Sequence, residues 1–370
     1  MASVRLYLRL RCAVAVLSEL PRSTPPSATG CVQSLRRWLA PVLSHYYAAA
    51  YSSPAARAGA TSLLEEVLAA FSGLLHATHW MDAATRDAAL QKLAAIRPLI
   101  AFPDRWDTVV SPELVHANEH LANALRVLAA TTAAQINEVW SARQKYEWQM
   151  AAFDVNAYYD PTANDIVFPA GIVQPPFFNA SAPLAANYGG LGSVMGHEVG
   201  HAFDNTGRLF DADGDERDWW TAQSSAAYEV RADCVARAYN GLAESDAPAV
   251  HVDGNATLGE NWADLTGLKA AYNALMLALR ALGADEASAQ EQFVERVFGY
   301  GQAQLFFRSW AHHWCAEYSP AVSEELALSD THAPAEWRVN MPALQSEEFR
   351  AAFGCRRPRD VQQCELFRKR

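Results

Sequence analysis

The chain has 370 residues, 51% of them apolar and 19% charged, enough to bury a large core in one large domain or two smaller ones. Thirty lysines and arginines against 41 aspartates and glutamates leave a net charge of −11, which excludes nucleic acid as a partner, since a phosphate backbone requires a basic face. Arg, Glu, Asp or Pro breaks every Ala/Leu-rich stretch before the ~20 apolar residues of a membrane span are reached, so no span is expected.

The opening, Met1 to Leu20, places Arg5, Arg9 and Arg11 before an apolar run of only Cys12 to Leu17, shorter than the roughly 7 to 15 residues of a signal-peptide core. It reads as a helix of the fold, with neither signal peptide nor anchor. Apolar residues recur every three or four positions over Thr61–Leu75 and Asp82–Ile96, the helical period, and the proline in Ala101 to Asp104 closes that pair. A further helix is predicted over Ser111–Tyr146, with a break near Thr131. Residues 1–140 therefore read as a helical segment.

Past Trp148 the texture changes. Val155 to Tyr159 and Asp165 to Phe168 are β-prone and flank a turn-forming Asp160-Pro161-Thr162-Ala163-Asn164, a hairpin pattern. Pro169, Gly171, Pro175 and Pro176 impose an irregular stretch before a predicted helix from Gly189 to Phe203. Residues 141–370 read as the domain that carries the chemistry. The six cysteines contain no C-x-x-C pair and read as staples or buried thiols. Two N-x-[ST] sequons, at Asn179 and Asn255, suit a secreted protein.

The predicted helix contains His197-Glu198-Val199-Gly200-His201. At about 100° per residue the two histidines lie about 40° apart, with Glu198 about 60° beyond His201, so both imidazoles can reach one Zn²⁺ while the carboxylate faces a water bound to it. The neighbours Leu191, Val194, Met195, Val199, Ala202 and Phe203 are apolar, so these polar groups need partners. Catalytic zinc takes a third protein ligand. The metzincin pattern wants glycine three and histidine six residues after the second histidine; here Asp204 and Gly207 stand there. Glu260, in Gly259-Glu260-Asn261-Trp262-Ala263-Asp264, supplies the ligand instead. Asp264, one helical turn on, can accept the second ring N–H of a zinc histidine, as can Asp204. Other polar clusters carry no chemistry: Asp211, Asp213 and Asp215 begin like a calcium loop, but Glu216 replaces its glycine and Ala222 its last ligand, so a solvated turn is expected. His312-His313 reads as packing, and Trp219, Trp220, Phe306 and Phe307 as core.

Across nearly its whole length the sequence resembles the neprilysin and endothelin-converting-enzyme family of zinc peptidases. The resemblance is carried in order by His79-Trp80-Met81-Asp82, Val155-Asn156-Ala157-Tyr158-Tyr159, Ile166 to Ile172, Gln174 to Phe178 and Asn187 to Gly190. It continues through His197-Glu198-x-x-His201-x-Phe203-Asp204, Asp218-Trp219-Trp220, Gly259-Glu260-Asn261, Gln304 to Phe307, Trp314-Cys315, Asp330-x-His332-x-Pro334 and Arg338-Val339. It implies a mainly α fold with a small β-sheet, a thermolysin-like (gluzincin) catalytic domain preceded by the remnant of a helical cap. It further implies one zinc per chain, held by His197, His201 and Glu260; Glu198 as general base; Asp264 as supporting acid; His332 as donor to the tetrahedral oxyanion; and Arg338 as holder of a substrate carbonyl. Asn156 and Ala157 match the edge that pairs with an extended peptide. By the same resemblance the substrates are oligopeptides, cut on the amino side of a mostly apolar residue. The location is extracellular or cell-surface, and Cys234 bonds Cys364.

Family members are about twice as long, so the resemblance covers their C-terminal half. The capping half is expected to be missing, and apolar surface to be left exposed. A truncated, non-catalytic peptide-binding homologue is the alternative that this motivates. Gly200, Thr266 and Trp262 depart from the family pattern without removing a ligand. In the family the pocket for the residue after the cut is lined by the segment matching Phe168 to Ile172 and by the pair before Cys315, here His313-Trp314. His313 and Ser193 are expected to make that wall more polar, and to admit acidic side chains once His313 is protonated below about pH 6.5.

Overall fold

The computed structural model describes residues 7, 10, 27–106, 110–140, 148–245, 247–357 and 361–367. The helix expected over residues 1–20 lies outside these, apart from Tyr7 and Leu10. In chain order the principal elements begin with α1 (Ala28–Trp38), α2 (Ala40–Tyr51), α3 (Pro54–Ala77), α4 (Ala83–Ala94), β1 (Arg97–Ala101) and α5 (His120–Val139). There follow β2 (Tyr158–Asp160), β3 (Asp165–Pro169), α6 (Leu184–Asn187), α7 (Ser193–His201), α8 (Ala222–Tyr239) and α9 (Leu258–Ala281). The last are α10 (Ala284–Phe298), α11 (Gln302–His312), α12 (Pro320–Ser329), α13 (Ala335–Gln345) and α14 (Glu347–Phe353). The fold is mainly α with one three-stranded sheet in the order β1-β3-β2.

Contacts divide the chain into two units, residues 1–52 with 101–154 and residues 53–100 with 155–370. In the first, the Ser27 hydroxyl caps α1 by accepting from Gly30 N–H, and α1 packs on α5. Arg36 pairs with Asp154 at 3.1 Å and lies over the Phe153 ring. The predicted helix over 111–146 is shorter here. A 3₁₀ turn at Pro112–Leu114 precedes α5, which runs unbroken through Thr131, whose hydroxyl donates to the Val127 carbonyl at 2.9 Å. Residues 141–147 lie outside the described ones.

The second unit is organised around α3, α7 and α9, which pack on one another. Ser53 caps α3 and Pro54 opens it, the side-chain acceptor and preset φ that start helices. Ala60, Leu63, Leu64, Val67, Ala70, Phe71, Leu74 and Leu75 form its buried stripe, the 3.6-residue period made physical. Among the described residues α3 alone is long and apolar enough to cross a membrane; Glu65 and Glu66 interrupt it, both exposed. Residues 53–100, read from sequence with the N-terminal helical segment, thus belong by their packing to this second unit.

The hairpin forms with Tyr158 opposite Val167 and Asp160 opposite Asp165. Its pairing starts at Tyr158, so Val155, Asn156 and Ala157 precede the strand. Asn164 closes the turn with φ of 55°, a left-handed conformation that asparagine tolerates. The helix predicted from Gly189 is preceded by a π turn, Tyr188–Gly192, in which Gly190 leaves helical geometry. A Cβ on Gly190 would run into the Phe177 carbonyl.

Candidate metal centre

The site exists because α7 and α9 touch through their backbones. A Cβ on Gly196 would stand 2.9 Å from Gly267 Cα, and one on Gly267 would stand 2.6 Å from His197 Cα. Glycine at both positions lets the helix bearing His197 and His201 lie directly on the helix bearing Glu260 and Asp264. The two Nε2 atoms are 3.0 Å apart, and Glu260 Oε2 lies 3.1 Å from that of His197 and 3.4 Å from that of His201. Among the described residues this is the one group of three His, Cys, Asp or Glu side chains whose ligand atoms converge.

The opposite ring nitrogens are already committed. His197 Nδ1 lies 2.7 Å from Asp264 Oδ1 and His201 Nδ1 lies 2.7 Å from Asp204 Oδ2. Carboxylates accept only, so both imidazoles carry hydrogen on Nδ1, and their neutral forms turn Nε2 lone pairs towards each other and towards a carboxylate oxygen. Glu260 Oε2 is buried and makes no hydrogen bond despite these neighbours. With both rings neutral, three acceptors face one point, a donor set that a cation reconciles, and two histidines with a glutamate are a zinc set. Burial would lower both imidazoles, yet Asp264 holds His197 above the usual histidine value. Asp204 and Glu260 do the same, more strongly, for His201. Burial would raise Glu260, but the three surrounding imidazoles of His197, His201 and His332 hold it far below the usual carboxylate range.

Glu198 is 5% exposed and lines the same cavity; burial pushes its carboxyl up, opposed by His197 and His201. Asp264 is gripped by Arg338 through Nε at 2.8 Å and an amino nitrogen at 2.7 Å. Burial acts to raise Asp264, yet Arg338 and His197 hold it down to about 2. Arg338 is itself buried and stacks on the Trp314 ring at 4.0 Å. His332 Nε2 reaches Glu260 Oε2 at 3.0 Å, while its Nδ1 lies 2.6 Å from Asp330 Oδ1. The structure thus brings together His197, Glu198, His201, Asp204, Glu260, Asp264, His332 and Arg338. The motifs Asp330-x-His332 and Trp314-Cys315 mark both supporting residues in the sequence, but not their contacts: Asp330 holds the His332 ring, and Trp314 lies against the Arg338 guanidinium.

A cavity of about 540 Å³ opens on these groups, with Asn156, Ala157, Ile172, Phe177, Ser193 and His313 on its wall. His313 stacks on Phe177 with centroids 4.4 Å apart. Burial pushes its imidazole down to about 4, so the expected protonation near pH 6.5 does not occur. The wall stays neutral there, and the expected acid-dependent acceptance of acidic side chains loses its basis. In the turn that begins at Asp211, Asp213 and Asp215 are exposed as expected, but Asp211 is not. Asp211 is 6% exposed, accepts from the N–H groups of Asp213 and Asp215, and pairs with Arg217. Trp220, Phe306 and Phe307 are core as expected, while Trp219 is half-buried.

Sequence profiles described as peptidase family M13 match residues 156–364 and 12–103. Endothelin-converting enzyme 1 of Rattus norvegicus is 36% identical over 302 residues, 80% of this chain and 38% of that protein. Neprilysin of Homo sapiens is 35% identical over 302 residues, 80% of this chain and 39% of its own length. Among solved structures, Mycobacterium tuberculosis zinc metalloprotease Zmp1 in complex with an inhibitor superposes with a TM-score of 0.80 at 28% identity, covering 90% of this chain and 50% of that one. The chain spans about two fifths of the length of the curated relatives it matches.

Proposed function

The chain belongs to peptidase family M13, and from that premise we propose that it is a zinc-dependent endopeptidase cleaving oligopeptides on the amino side of a mostly apolar residue. The observation that carries this reading is the convergence of His197, His201 and Glu260 on one point beside Glu198, at the wall of an open cavity. One zinc ion per chain, held by these three side chains, would supply the Lewis acid that polarises the scissile carbonyl and acidifies water.

The remaining work falls to the chain's own groups. Glu198 takes a proton from the attacking water on its carboxylate and passes it to the leaving amine nitrogen, a role suited by a carboxyl raised above its ordinary value. Asp264 and Asp204 hold the histidine rings through Nδ1 and fix their tautomers. His332, oriented by Asp330, stands where Nε2–H in its imidazolium form can donate to a developing oxyanion. Arg338, on the same cavity wall and stacked over Trp314, is the candidate holder of a substrate carbonyl. Asn156 and Ala157, at the cavity wall before β2, offer main-chain groups to an extended peptide. Ile172 and Phe177 give the wall an apolar character that suits an apolar side chain after the cut. The Cys234–Cys364 disulfide supports an extracellular or cell-surface location, where such bonds persist.

The test is metal analysis of the purified chain with hydrolysis of a fluorogenic oligopeptide before and after chelation. One zinc per chain, activity lost on chelation and restored by zinc, and a Glu198→Gln variant that keeps zinc but loses about 10²- to 10⁴-fold in turnover are expected. A folded chain without stoichiometric zinc overturns the reading. Zinc and peptide binding without any hydrolysis would instead support a non-catalytic peptide-binding homologue.

A further inference from the structure

Helix α4 contributes no side chain to the centre described above, yet it sends one residue under it. Lys92 is 1% exposed. Its Nζ donates to the carbonyl oxygens of Ala202 at 2.8 Å, Gly207 at 2.6 Å and Phe210 at 2.7 Å, and the rings of Tyr159, Phe203 and Trp219 lie within 6 Å of it. A buried ammonium persists only when its three N–H groups are met, and here all three go to one segment, residues 202–210, which leaves the end of the metal helix.

That segment carries Asp204. Its Oδ2 holds His201 Nδ1 at 2.7 Å, while its Oδ1 accepts from the N–H groups of Thr206 at 2.8 Å and Gly207 at 2.6 Å. Gly207 is common to both sets, giving its N–H to Asp204 and its carbonyl to Lys92. The connection from Lys92 Nζ through Gly207 and Asp204 to the His201 ring is therefore continuous in hydrogen bonds of 2.6 to 2.7 Å.

We propose that Lys92 is a positioning residue for the metal centre, holding segment 202–210 so that Asp204 presents the Nε2 of His201 to the ion. This rests on the reading of His197, His201 and Glu260 as metal ligands. Groups that orient a metal histidine typically change affinity by about 10- to 100-fold when removed.

The experiment measures Co²⁺ and Zn²⁺ dissociation constants by chelator competition, and the Co²⁺ absorption spectrum, for the parent chain, Lys92→Met, Asp204→Asn and the double variant. Lys92→Met is expected to weaken binding about 10- to 100-fold and to shift the cobalt bands. The double variant should bind no more weakly than Asp204→Asn alone, since groups acting through one another are not additive. Lys92→Arg, whose planar fork does not match three carbonyls, carries the test if Lys92→Met fails to fold, with the same expectation. Parent-like affinity and spectrum in the lysine variant, or losses that multiply in the double variant, overturn the proposal while leaving the metal reading intact. A parent chain that binds neither ion overturns both.

Discussion

Asp264 shows how one carboxylate can serve two partners. Its Oδ1 meets both His197 Nδ1 and an Arg338 amino nitrogen at 2.7 Å, with all three side chains buried. Taking away the guanidinium leaves a buried charge with one partner, which typically costs about 3–5 kcal/mol, whereas neutralising both partners costs less. Arg338→Leu is therefore expected to unfold at markedly lower urea than the parent, and Arg338→Leu with Asp264→Asn to recover part of the loss; equal midpoints for the two variants would contradict it. His313 responds to acid in the opposite sense from a histidine paired with a carboxylate. Its folded pKa of about 4 lies below the ordinary value, so between about pH 6.5 and 4 the unfolded chain binds a proton that the native chain does not. Stability is then fully present above pH 6.5 and falls as pH drops through 4, by about 3 kcal/mol in all. His313→Phe is expected to flatten this limb in melts at pH 4.5 and 7, and an unchanged slope would refute it.

Elements meet the site through glycine. Gly196 and Gly267 face each other where α7 crosses α9, and no side chain fits between the two backbones. Gly196→Ala must push the helices apart, an overpacking that costs about 1–3 kcal/mol and moves His197 away from Glu260. Both a lower urea midpoint and weaker zinc binding are expected, and a variant with parent-like values of both would refute the crossing as the cause of the geometry. The same crossing accounts for two departures from the family pattern at once. A Cβ on Gly200 would stand 2.7 Å from Thr266 Oγ1, so the small residue on α7 and the hydroxyl-bearing one on α9 are a single packing solution. Thr266 spends its hydroxyl on the Trp262 carbonyl at 2.8 Å.

At the scale of the molecule, the second unit is closed by its C-terminal tail. Cys364 bonds Cys234 on α8, 130 residues earlier. Beside that bond Trp80 Nε1 donates to the Leu366 carbonyl at 2.8 Å, and Arg231 Nε to that of Glu365 at 3.1 Å. A crosslink over so long a loop removes much entropy from the unfolded chain, and losing one costs about 2–5 kcal/mol. Cys234→Ser with Cys364→Ser is expected to melt several degrees lower, and the parent to behave likewise under reductant. A reductant-insensitive melt would show that the tail's hydrogen bonds suffice.

What the sequence by itself determined are the parts governed by local period. His197, Glu198 and His201 share a helical face because 3.6 residues make a turn, and Glu260 and Asp264 do so for the same reason. The hairpin follows from its turn residues, and the buried stripe of α3 from its spacing. Tertiary structure decided the rest. Lys92 lies 110 residues before the first carbonyl it binds, and Arg338 lies 74 beyond Asp264, separations at which no periodicity reports contact. The charge state of His313 depends on burial against Phe177, which no spacing encodes. Even the ligand geometry waits on the α7–α9 crossing, because a helix sets which side chains share a face, and only packing sets what that face meets.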